Sequence, residues 1–85
     1  MVGSSTVDEA VEHAFATYPK VHPSTPHSQL VSEIVSAWLT AGTRLGAKAT
    51  PEQRGQLAHA FFNRLKQILG ESKVAELHDA IVEEL

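Results

Sequence analysis

The sequence predicts an all-α protein, a compact bundle of about four helices in which the third and fourth form an antiparallel pair. Three observations predict it. Apolar residues recur at helical spacing in four separate segments, and proline, glycine and capping residues punctuate the chain between them. Alternation of period two never persists beyond about four residues, so no strand pattern survives. The 85 residues suffice for one domain spanning 1–85 and no more. A domain this small hides only about 60–65% of the surface its unfolded chain exposes, so its margin of stability is modest and a partner subunit would help.

The first helix is expected near 5–18. Val7, Ala10, Val11, Ala14, Phe15 and Tyr18 fall on one side, and Ser4, Ser5 and Thr6 offer alternative N-caps. Asp8 and Glu9 suit the positive end of the helix dipole, and Pro19 stops the helix. Two prolines and no periodicity make 19–25 an extended connection.

The second helix is expected near 26–41, with Thr25 or Ser24 as cap, Pro26 at the first helical position and Gly42 as a left-handed terminator. Leu30, Val31, Ile34, Val35, Ala37, Trp38 and Leu39 cover about 200° of its circumference, roughly twice the usual minimum stripe. One neighbour cannot cover that, which makes this the central helix.

The third helix, near 51–69, has the clearest start signal. Thr50-Pro51-Glu52-Gln53 sets a cap, a first-turn proline, an acid at the positive end and a capping-box glutamine in order. Leu57, Ala58, Phe61, Phe62, Leu65, Ile68 and Leu69 form its apolar face and Gly70 ends it. Gly55 weakens the second turn by about 1 kcal/mol relative to alanine and would let another helix approach closely. The fourth helix, near 73–85 with Ser72 as cap, aligns Val74, Leu77, Ile81, Val82 and Leu85. Glu83 and Glu84 oppose the dipole at its end, so the last turn frays unless a partner holds it.

The formal net charge is −3, from seven Lys and Arg against ten Asp and Glu. Its distribution matters more than its sum. Residues 1–42 and the tail from Val74 are acidic, while 43–73 carry Arg44, Lys48, Arg54, Arg64, Lys66 and Lys73 against Glu52 and Glu71. Solvated helix faces account for blocks this sparse. With no cysteine there is no disulfide, thiolate metal site or thiol nucleophile. The N-terminal segment lacks the charged and apolar regions of a signal peptide, and no apolar run approaches the roughly 18 residues of a membrane span. The expectation is a cytoplasmic protein with no membrane contact.

Chemistry finds little footing in the chain. The five histidines show no His-Glu-x-x-His or equivalent spacing, so no metal site is expected and surface histidine is the simpler reading. No nucleophile elbow or phosphate-binding glycine motif is present, and the adjacent Glu83 and Glu84 point about 100° apart on a helix and cannot flank one bond. A non-enzyme without cofactor is expected. His78 falls between Val74, Val82 and Leu85 on the wheel. It either packs at the core with one nitrogen on a carbonyl or water, or faces a partner where titration near neutral pH would matter.

Helix-Gly70-helix superficially matches a helix-turn-helix. A recognition helix from Ser72 would nevertheless bring Glu76, Asp79, Glu83 and Glu84 to the phosphates with only Lys73 to offset them. The expected function is a non-enzymatic protein-protein interaction module, such as a regulator, adaptor, inhibitor or docking protein, that forms a homodimer. Its expected interface residues are Trp38, Leu77, His78, Ile81 and Leu85. The alternative is a nucleic-acid-associated regulator. It would contact phosphates or an acidic partner through Arg44, Lys48, Arg54, Arg64 and Lys66.

Overall fold

Helical periodicity becomes four α-helices and no strand among the residues described by the computed structural model, 2–84. They are α1 (Val2–Thr17), α2 (His27–Leu45), α3 (Pro51–Leu69) and α4 (Glu71–Glu84). α2 and α3 each touch all three other helices, whereas α1 and α4 do not touch one another. The centre of the bundle is therefore shared by α2 and α3 rather than held by α2 alone.

α1 begins three residues before the expected Ser5, so Thr6 lies inside the helix and does not cap it. Val7, Ala10, Val11, Ala14 and Phe15 are buried, as their spacing requires. The connection after α1 is not extended. It folds into turns, with Val21 buried, the Thr25 N–H donating to His22 O (3.0 Å) and Thr25 Oγ1 donating to Lys20 O (2.6 Å). Thr25 is thereby engaged in the loop, and α2 starts after Pro26 with no side-chain cap.

The end of α2 also differs from expectation. Gly42 continues the helix, and Gly46 ends it at φ 104°, a backbone region that glycine enters without a steric penalty. The extra turn carries half-buried Leu45 onto the core beyond buried Ala41. Burial of that leucine outweighs the cost of roughly 1 kcal/mol for a glycine in a helix interior.

α3 starts as its residues dictate. The Gln53 N–H donates to Thr50 Oγ1 (3.1 Å) and the Thr50 N–H donates to Gln53 Oε1 (2.9 Å), a complete capping box. Gly70, at φ 91°, ends α3 by donating its N–H to Lys66 O and starts α4 by accepting from the Val74 N–H. Ser72 thus lies within the first turn of α4 and is not its cap.

Fully buried Phe61 is the hub of the core. Its ring centroid stands 4.9 Å from Phe15, 5.3 Å from Trp38 and 5.7 Å from Phe62, so one α3 side chain ties together α1, α2 and α3. Leu30, Ile34, Leu65, Leu77 and Ile81 complete it. Gly55 serves no close approach: nothing lies within 4 Å of where its Cβ would be.

Candidate functional site

The expected interface stripe divides between core and surface. Leu77 and Ile81 are 0% and 1% exposed, because α4 turns them onto α2 and α3. They are core residues and cannot be presented to a partner without unfolding α4, which corrects their assignment to an interface. Leu85 lies outside the described residues. Trp38 is half-buried against Phe61.

His78 is not a core residue. Its side chain is 58% exposed, with the ring centroid 6.1 Å from Phe62 and Nδ1 3.7 Å from Asp79 Oδ1. The 200° arc of α2 and the stripe of α4 each extend beyond what the bundle covers. Among the described residues, the large apolar side chains left exposed are Leu39, at 60%, and Val82, at 53%. Val82 drew no special weight in the sequence, since a wheel cannot tell which side of a stripe the neighbours will reach.

Leu39 stands between two open hollows. One, about 570 Å³, lies along α1 and α2 and is lined by His13, Tyr18, Ser36, Thr40, Thr43 and Arg44 as well as Leu39. The other, about 430 Å³, is bounded by Trp38, Gly42, Gly46, Ala47 and Arg54. In the first hollow Thr40 Oγ1 donates to Tyr18 Oη (3.4 Å), and nearby Thr43 Oγ1 donates to Leu39 O (3.0 Å). Both threonine hydroxyls thus donate to acceptors within the chain. A third hollow, about 550 Å³, lies between α3 and α4 and is lined by Phe62, Lys66, Glu71, Val74, Ala75, His78 and Asp79.

The basic residues of 44–73 are not gathered into one surface. Arg44 pairs with Glu9 at 3.6 Å, Arg64 shares a hollow with Asp8 and Glu12, and Lys66 shares one with Glu71 and Asp79. Arg54 lines the hollow beside Trp38, and Lys48 is exposed in the turn after Gly46. Of the candidate phosphate contacts, Arg44 is thus ion-paired and Arg64 and Lys66 share their hollows with acids, which weakens the local potential a phosphate would meet there.

No family model, curated protein or solved structure matches the chain. Its surface must therefore be read from its own chemistry. Among the described residues no group of three or more His, Asp or Glu is placed to hold a metal ion, and no helix is long and apolar enough to cross a membrane.

Proposed function

We propose that the chain is a non-enzymatic, cytoplasmic protein-protein interaction module that self-associates. The observation that carries this reading is the placement of Leu39 and Val82, large apolar side chains exposed on helices whose neighbours leave them uncovered. Water-exposed leucine and valine gain free energy when a partner covers them, at roughly 25 cal/mol per Å² of apolar surface removed. Leu39 is moreover flanked by hollows open enough to admit side chains from outside. Regulator, adaptor, inhibitor and docking protein all fit such a surface.

The experiment is affinity capture from the native cell using the wild type and a Leu39→Glu/Val82→Glu double variant, with sedimentation equilibrium on both. Both positions are exposed, so the double variant should keep its helical circular dichroism. The expected result is proteins, or further copies of this chain, retained by the wild type and lost by the folded variant. Identical retention by the two proteins would sink the reading.

A further inference from the structure

The two large apolar side chains left exposed, Val82 and Leu39, each have charge of one sign beside them. On α4, at about 100° per residue, Asp79 lies about 60° and Glu83 about 100° around the helix from Val82, on the side away from buried Val74, Leu77 and Ile81. One helix face therefore presents all three, with the two acids about 6 Å apart along the axis. Both acids are exposed, and among the described residues neither forms an ion pair with a lysine or arginine; Asp79 has only His78 near it, at 3.7 Å. Glu83 also stands at the negative end of the α4 dipole, which disfavours a carboxylate there.

The hollow of about 430 Å³ at the end of α2 has the opposite character. Trp38, Leu39 and Ala47 line it together with a single charged side chain, Arg54, and Lys48 follows Ala47 in the exposed turn. No acid lines it, and Glu52, the acid nearest to Arg54 in the chain, lies about 200° around α3 from it. The other cations of this segment are less free, since Arg44 is paired with Glu9 and Arg64 and Lys66 share their hollows with acids. An apolar depression bordered by cations selects a helix that carries an aliphatic side chain and carboxylates on one face. α4 is such a helix, and no neighbour in the bundle covers that face.

We propose that the outward face of α4 of one copy docks in this hollow of a second copy, Val82 entering against Leu39 and Trp38 while Asp79 and Glu83 meet Lys48 and Arg54. The proposal rests on the self-association reading and names its two surfaces. One contact then covers both exposed apolar side chains and gives Glu83 the positive charge that its own helix end lacks. α4 is about 21 Å long, so such a contact buries an area at the low end for specific complexes, below roughly 1,200 Å² in total. The association is therefore weak, and a concentration series must extend to about 1 mM.

The test is sedimentation equilibrium on the wild type, on Asp79→Lys/Glu83→Lys and on Lys48→Glu/Arg54→Glu, each alone and the two variants mixed, with melting temperature as the check on folding. All four positions are exposed, Glu83→Lys suits the end of α4 and Arg54→Glu the start of α3, so both variants should melt near the wild type. The wild type should associate, and less tightly at about 500 mM salt than at about 50 mM. Each variant alone sets like charge on like and should associate more weakly by on the order of tenfold or more, whereas the mixture restores opposite charges and should associate. Folded variants that associate as the wild type does, or a mixture that fails to recover, overturn this contact and leave self-association standing. A wild type that is monomeric at every concentration overturns the contact and self-association together.

Discussion

Phe61 and Phe62 are neighbours in the chain with different roles in the fold. Phe61 is fully buried among Phe15, Trp38 and Phe62, so truncation leaves a cavity bordered by α1, α2 and α3. Phe61→Ala should cost about 3–5 kcal/mol, and Phe62→Ala, from a half-buried position, about half as much. Urea unfolding of both variants measures the difference, and equal costs would deny Phe61 its place as hub. Gly55 offers the opposite change. It lies in the interior of α3 with open space where a Cβ would stand, so Gly55→Ala should stabilise the protein by about 0.5–1 kcal/mol through helix propensity and a less flexible unfolded chain. A lower melting temperature for that variant would reveal a contact at Gly55 that the fold does not show.

The helices differ in how much of their boundaries is written locally. α3 was legible at its start because Thr50 and Gln53 exchange both capping hydrogen bonds within four residues. Thr50→Ala should accordingly cost about 1 kcal/mol, while Ser72→Ala, inside the first turn of α4 and not its cap, should stay within about 0.5 kcal/mol of wild type by thermal unfolding. The end of α2 was not legible, because Gly42 and Gly46 are both competent terminators and only the burial of Ala41 and the half-burial of Leu45 against other helices select the second. The same limit applies to α4. Its stripe was plain from spacing, but the choice of Leu77 and Ile81 as core and of His78 and Val82 as surface depends on where α2 and α3 lie. Ile81→Glu would bury an unpaired charge and should abolish the cooperative melt, whereas Val82→Glu should leave the circular dichroism spectrum unchanged. A folded Ile81→Glu protein would place α4 outside the core.

At the scale of the whole molecule, folding redistributes the charge that the sequence arranges in blocks. The acidic first helix is brought beside the basic middle segment, where Glu9 meets Arg44 at 3.6 Å and Asp8 and Glu12 share a hollow with Arg64. Glu71 and Asp79 from α4 line one hollow with Lys66. A duplex approaching any of these cations also meets carboxylates, and the molecule as a whole carries a formal charge of −3. Non-specific duplex binding depends on displacing counterions with several uncompensated cations at once, and proteins that achieve it reach dissociation constants of about 10⁻⁴ to 10⁻⁶ M at physiological salt. Arg64 and Lys66 line hollows that also carry acids and Arg44 is paired with Glu9, which leaves Lys48 and Arg54 as the cations of this group with no acid beside them in those hollows. Fluorescence anisotropy of a labelled random duplex, titrated at roughly 50 mM salt where such contacts are strongest, should therefore show no saturable binding into the tens of micromolar. Saturable binding that fell steeply as salt was raised, and weakened further in an Arg54→Ala/Lys48→Ala variant, would reinstate a nucleic-acid role for the turn between α2 and α3.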